Sequence, residues 1–453
     1  MECMDKKYNT EEIFSRLVNE AKDANYIPAE KFESYRVKRG LREMDGTGVM
    51  AGVTNIGNAH GYIVYEGEKL ADEGKLEYRG LNMTSLIEGF TSEDRFGFEE
   101  CIYLLLFGKL PTKSELDEFC ALLDERRRLP AGFTEDVIMK APSPSIMNKM
   151  AMSVLALYAY DENPDDTSLE NTLRQSIDVI AKLPVIAANS YRVYRTYFHG
   201  KSLNIHTPKA GLSSAENFLR ISRATKTFTE EEARLLDLCM VIQAEHGGGN
   251  NSTFACRVLS SSGTDTYSAI AAGIGSLKGP LHGGANIKVQ QMFDTIRPMI
   301  NDVNDDDEIK AVLMKILGGE IGDGKIYGMG HAIYTKSDPR AIMLKKYAHD
   351  LAVKKGYGED FKLLESIERI TPDVFREFKG IDKPMCANVD LYSGLVYRML
   401  DIPPEMYTPL FAIARVSGWC AHRIEETQTA KRIIRPAYKC IATPMDYIPL
   451  DQR

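Results

Sequence analysis

No stretch of this 453-residue chain approaches the roughly 18–20 consecutive apolar residues that a membrane helix requires. The amino-terminal segment mixes acids, bases and apolar residues without the hydrophobic centre of a signal peptide. Eight cysteines occur, none in a C-x-x-C pair, so they read as reduced and mostly buried thiols rather than as a zinc site or a disulfide framework. Excess positive charge is missing too. A net charge of −8 argues against nucleic acid or an anionic membrane as partner, while leaving room for a local basic cleft that holds a small anion. Solenoid repeats are absent, and strand signals are few. Together these absences leave a cytoplasmic globular protein, long enough for more than one domain.

What is present is mostly helical periodicity. Apolar residues recur every three or four positions in FEECIYLLLF, ending at Gly108–Pro111. The same spacing predicts helices through Val289, Met292, Phe293 and Ile296, through Leu344, Tyr347, Ala348 and Leu351, and through Tyr392, Leu395, Val396 and Met399. Thr408-Pro409 reads as an N-cap with proline at the first helical position, opening a helix through Leu410, Ala414, Ser417 and Ala421. The best strand signal is a hairpin-like pair over residues 61–80, and the acidic run at 301–308 reads as a solvated loop. The fold class is mainly α.

Only eight histidines occur, and three lie in glycine-rich turns: His246 in AEHGGGNNSTF, His282 in KGPLHGGAN and His331 in YGMGHAIYTKSDPR. Asp390 follows in CANVDLYSG. Imidazole exchanges protons near neutral pH, so a carboxylate beside such rings can take a proton from carbon while the rings serve oxygen. Each candidate is predicted at or just before a helix start, where unpaired N–H groups favour anions. His60, His199, His206, His349 and His422 lack such settings and read as ordinary surface or core residues. Arg340, Arg415 and Arg435 are candidate anion ligands. Arg415 is the most pointed, because it interrupts a small, apolar helix where an unpaired guanidinium is costly to bury. On pattern alone, Asp390 reads as a helix cap sooner than as a base.

Taken in order along the chain, these motifs resemble the citrate synthase family. GPLHGGAN with His282 is similar to the first catalytic histidine motif of that family, and GMGHAIYTKSDPR to the second, with His331 catalytic and Arg340 binding substrate. NVDLYSG places Asp390 on the catalytic base, and His246, 36 residues ahead of His282, on the oxaloacetate-binding histidine. Arg415 and Arg435 resemble the later carboxylate-binding arginines, the last of which reaches the partner subunit's site in a homodimer. Lys383 and the Gly328-Met329-Gly330 turn resemble the coenzyme A contacts. The likeness continues upstream through EGKLEYRGLNMTSLI and FEECIYLLLFGKLPT, from about residue 40 onward. HGGGNNSTF is richer in glycine than many members, and CANVDLYSG lacks the proline often found before Asn-Val-Asp.

The resemblance implies a large helical domain over 1–280 and 396–453 and a smaller mobile one over 281–395, which closes to exclude water. It implies condensation of acetyl-CoA with oxaloacetate and hydrolysis of the citryl thioester, without metal or other cofactor. Propionyl-CoA is the rival substrate, giving 2-methylcitrate. A rival of another class is a non-catalytic citrate or acyl-CoA sensor, which needs the arginines but not the base. A metal hydrolase would require clustered H-x-x-H spacing, which is absent.

Overall fold

The computed structural model describes residues 9–43, 45–380, 382–429 and 432–453. They divide into two compact units, one ending at Gly52 and one running from Val53 to Arg453. In the first, the helix Thr10–Ala24 begins at Asn9, whose side chain accepts from the Glu12 N–H, and a short helix Ala29–Ser34 follows. Every candidate site residue belongs to the second unit.

That unit is almost wholly helical. Its centre is the helix Tyr407–Thr429, buried without a break from Tyr407 to Arg423. A helix buried around its whole circumference needs other elements on every side. Here Phe98–Phe107, Ile146–Leu157, Leu169–His199, Glu230–Gln243, Asn251–Ser261 and Thr266–Leu277 all pack against it. Helix starts are written locally. Capping boxes join Thr112 to Glu115, Ser213 to Glu216 and Thr229 to Glu232, each pairing a hydroxyl and a carboxylate with orphan N–H groups.

The predicted helices form as Ala285–Ile296, Pro339–Lys354 and Asp390–Met399. Two expectations fail at helix starts. Thr408 is not an N-cap: a 3₁₀ turn, Pro404–Met406, runs straight into the helix at Tyr407, leaving Thr408 inside it. Its hydroxyl instead donates to the Gly283 carbonyl (3.1 Å). The acidic run is not all loop, because Asp305 caps a helix Asp306–Leu317 whose first turn holds Asp306, Asp307 and Glu308, as the helix dipole favours.

The hairpin is β1 (Gly57–Tyr65) with β2 (Glu68–Tyr78), antiparallel with Tyr65 opposite Glu68, and a two-residue β3 (Leu81–Asn82) completes the sheet. Its Glu66-Gly67 turn has both φ angles positive, the geometry whose twist matches the flanking strands. Cys101, Cys239, Cys256, Cys386 and Cys420 are buried free thiols, Cys120 is half-buried and Cys440 exposed, while Cys3 lies outside the described residues. Among the described residues no helix is long and apolar enough to cross a membrane.

Candidate active site

His246 follows the end of the helix Glu230–Gln243 and is buried, with Nε2 3.2 Å from the Tyr334 hydroxyl. Behind it lies a polar cluster that no single stretch of sequence displays. Glu245 is fully buried, accepts from the Gly247 N–H (2.5 Å) and pairs with His422 Nε2 (2.9 Å). His422 Nδ1 in turn accepts from Arg257 Nε (3.1 Å), and Arg257 is paired with Glu425 and Glu426. Burial raises the cost of the Glu245 charge, but His422 and Arg415 outweigh it and hold the carboxyl below its usual range.

His282 sits three residues before the helix Ala285–Ile296. The Ser252 N–H donates to its Nε2 (3.2 Å), and the Ser252 hydroxyl lies 2.9 Å from the same nitrogen. A backbone N–H can only donate, so Nε2 is the acceptor and the ring proton resides on Nδ1. Ser252 is held by the indole N–H of Trp419 (3.2 Å), which comes from the central helix. Burial, and secondarily the Arg415 charge, push His282 down to about 4, so the ring is neutral at physiological pH.

His331 lies in a loop eight residues before Pro339 rather than at the helix start itself. Its Nδ1 accepts from the N–H groups of Ile333 (3.1 Å) and Tyr334 (3.2 Å), which places the proton on Nε2. The preceding Gly328-Met329-Gly330 turn is laced to the segment that leads into Asp390. Gly330 N–H donates to the Cys386 carbonyl (2.8 Å), and Asn388 N–H to Gly328 (2.9 Å). The Asn388 amide also donates to the Gly330 carbonyl (2.9 Å). Gly328 has φ +86°, and a Cβ there would lie 2.9 Å from Leu391, so only glycine lets these strands of chain approach.

Asp390 opens the helix Asp390–Met399, its N–H donating to Asn388 Oδ1 (3.0 Å). Burial drives its carboxyl up to about 6, Asp338 adding to the rise and Arg340 opposing it. Asp338 went unnoticed in the sequence as more than part of a motif, yet it is the junction of this region. It caps the helix Pro339–Lys354, grips Arg340 through Nε (3.0 Å) and Nη2 (2.8 Å), and accepts from the Val389 N–H (3.3 Å). Burial works against the Arg340 charge, but Asp338 and Tyr334 more than compensate.

Arg415 is 1% exposed. Its Nε donates to the Gln243 carbonyl (2.7 Å), while Nη2 is buried without a protein partner. Burial lowers its pKa to about 10, with Glu245 opposing. The Arg415 charge is felt at both His246 and His282, and that of Arg340 at both His246 and Asp390. Burial and these two cations, with His331, hold His246 well below the ordinary histidine range.

The loop from His331 to Asp338 rests on the β1–β2 hairpin. Asp72 N–H donates to the Thr335 hydroxyl (3.1 Å), and Gly74 N–H to that of Ser337 (2.9 Å). A Cβ at Gly61 would lie 2.6 Å from the Tyr334 Cα, and one at Gly74 2.1 Å from the Ser337 carbonyl oxygen. Two predicted residues stand apart: within this chain Lys383 and Arg435 are exposed on the surface and join none of these contacts. Among the described residues no group of three or more His, Cys, Asp or Glu side chains is placed to hold a metal ion.

Three imidazoles (His246, His282 and His331), the Asp390 carboxyl and two buried guanidiniums therefore converge from distant parts of one chain, a constellation suited to enolisation and carbon–carbon bond formation on carboxylate substrates. The sequence profile described as "Citrate synthase, C-terminal domain" matches residues 45–437. The chain is 37% identical over 367 residues to a citrate synthase of Deinococcus radiodurans, covering 80% of this chain and 89% of that protein. It is 34% identical over 390 residues to one of Synechocystis, covering 84% and 89%. Among solved structures, citrate synthase of Pyrobaculum aerophilum superposes with a TM-score of 0.73 at 32% identity, covering 89% of this chain and 94% of that one. The Thermoplasma acidophilum enzyme, a ternary complex with carboxymethyl coenzyme A and oxaloacetate, gives 0.75 at 27% identity, covering 92% and 99%. The chain belongs to the citrate synthase family. It is an enzyme of the citrate synthase type.

Proposed function

We propose that this enzyme condenses acetyl-CoA with oxaloacetate and hydrolyses the citryl thioester to citrate and coenzyme A, with Asp390, His282 and His331 as its catalytic residues. One observation carries the assignment: His282 and His331 each have one ring nitrogen engaged as acceptor by backbone N–H groups, which fixes the other as an N–H donor. Two carbonyl oxygens gain negative charge in this reaction, and each needs one preorganised donor.

Asp390 takes a proton from the thioester methyl group, and its raised pKa makes it a stronger base than an exposed aspartate. The Nδ1–H of His282 supports the enolate oxygen as it forms. The enolate carbon then attacks the keto carbon of oxaloacetate, whose oxygen receives the proton of His331 Nε2. Water finally cleaves the thioester, and the thiol leaves as coenzyme A. His246, Arg340 and Arg415 bind the oxaloacetate carboxylates. The buried, unpartnered Nη2 of Arg415 supports that role, since a second carboxylate oxygen completes the guanidinium's fork.

Coenzyme A is assigned to the Gly328-Met329-Gly330 turn and Lys383. A cavity of about 260 Å³ lined by Lys288, Lys325 and Tyr327, the residue that precedes the turn, adds two ammonium groups nearby. The bound carboxymethyl coenzyme A and oxaloacetate of the Thermoplasma structure support both substrates occupying such a site together. We assign residues 281–395 to a small domain that closes on the remainder, and a homodimer in which Arg435 completes the partner's oxaloacetate site. We assign the protein to the cytoplasm, a reading that its buried free thiols support. A sensor would have no use for a buried base, so the setting of Asp390 favours the enzyme. Oxaloacetate-dependent thiol release from acetyl-CoA by the purified protein is the direct test. Equal or faster release from propionyl-CoA would reassign the product to 2-methylcitrate, because one methylene is worth only about 1–3 kcal/mol of discrimination.

A further inference from the structure

Tyr334 meets three of the side chains just assigned to oxaloacetate. Its hydroxyl lies 3.2 Å from His246 Nε2. Its ring stacks on His331 with centroids 4.7 Å apart and planes 28° from parallel, and its own N–H donates to His331 Nδ1 (3.2 Å). The Arg340 guanidinium carbon stands 5.3 Å over the same ring. We propose that Tyr334 is the positioning residue of the oxaloacetate pocket, one buried residue whose hydroxyl sets the tautomer of His246 and whose ring and backbone N–H orient His331. This rests on the reading of those two histidines as substrate-facing.

The geometry needs tyrosine rather than any large apolar residue. Packing and the π-face toward Arg340 would survive in phenylalanine, but the contact with His246 is made by the hydroxyl alone. Burial pushes the phenol's pKa up, so the O–H persists, and in the proposed arrangement it donates to Nε2 of a neutral imidazole. That leaves the His246 proton on Nδ1, as a donor to a carboxylate or keto oxygen. Tyr334 is itself held from behind. It is 2% exposed, its Cα is pressed against Gly61 of β1, and the Thr335 hydroxyl that follows donates to the Gly61 and Asp72 carbonyls. The hairpin thus acts on the site through Tyr334, although it contributes no side chain that we assign to substrate.

Tyr334→Phe, His246→Ala and the double variant separate the possibilities, each measured for kcat, for KM of both substrates and for thermal stability. Tyr334→Phe is expected to raise the KM for oxaloacetate about tenfold, the effect of leaving a buried ring nitrogen without its partner. The KM for acetyl-CoA and the melting temperature should stay close to wild type. The double variant should bind oxaloacetate scarcely worse than His246→Ala alone, because the hydroxyl acts through that ring. A wild-type oxaloacetate KM in Tyr334→Phe overturns the proposal, as does equal weakening of both substrates. If the variant melts too early for kinetics, the rise in melting temperature caused by oxaloacetate decides: an undiminished rise overturns it too. An unchanged KM in His246→Ala sinks the underlying reading of the pocket instead. A raised KM there, with Tyr334→Phe unaffected, sinks only the role of Tyr334.

Discussion

At the scale of single residues, the proposed site would control protons through burial. Asp390 is held near 6 and His282 near 4, so between those values and neutrality the base ionises while the imidazole stays uncharged. The rate at subsaturating acetyl-CoA should therefore rise with pH through about 6 and then level off, a profile that steady-state kinetics between pH 5 and pH 8 would trace. A curve flat across that range would remove Asp390 as the base. Asp390→Ala should slow condensation at least ~10²-fold with oxaloacetate binding retained. Stability gives an independent check. A carboxyl whose native pKa is raised binds its proton more tightly folded than unfolded, so its contribution falls as pH climbs from the ordinary value toward about 6. Asp390→Asn should accordingly melt higher than wild type at pH 8, the gain fading toward pH 4. Arg415→Leu, in turn, should raise the oxaloacetate KM by about one to two orders of magnitude, as loss of a charge-assisted bond worth ~1.5–3 kcal/mol implies. An unaltered KM in a folded variant would make Arg415 structural.

At the scale of elements, the residues proposed as catalytic stood out in sequence because each sits in a short motif that can be read without knowing what surrounds it, a glycine-rich turn for the histidines and Asn-Val-Asp for Asp390. Their supports were not. Asp338, Tyr334, Ser252 and Glu245 lie within or beside those motifs, yet their importance comes from contacts with Val389, His246, His282 and His422, far off in the chain. His422 in particular read as an ordinary core residue and proves to be the buried partner of Glu245. Helix periodicity was equally local and equally legible, whereas the missed start at Tyr407 came from a preceding 3₁₀ turn that continues without a cap. The hairpin was visible as a hairpin, but its use as a seat for the His331 loop was not. That use has a measurable consequence. Gly74→Ala would drive a methyl group into the Ser337 carbonyl, so it should cost about 1–3 kcal/mol in chemical denaturation and weaken oxaloacetate binding from outside the pocket. Wild-type stability in that variant would show that the hairpin and loop are free to part.

At the scale of the whole molecule, Arg435 is the residue that sequence and single chain treat differently. The motif assigns it to substrate, whereas within one chain it is exposed beyond the central helix, where Ile434 N–H reaches Ser261 (3.0 Å). The proposed homodimer would reconcile the two. Mixing Asp390→Ala with Arg435→Ala subunits would then create heterodimers with one doubly damaged site and one intact site, so activity should reappear in re-associated mixtures. With heterodimers verified by mass, absence of recovery would return Arg435 to its own subunit or to the surface.

The chain's only tryptophan, Trp419, is completely buried, and its indole N–H holds the serine that orients His282. Indole emission responds to hydrogen bonding and to nearby charge, so this protein carries its own optical probe one residue removed from the chemistry. Any ligand that repositions His282 should alter the ultraviolet fluorescence without a label, and Ser252→Ala should mute that response while leaving the fluorophore in place. Binding and turnover could then be followed as separate signals in the same cuvette.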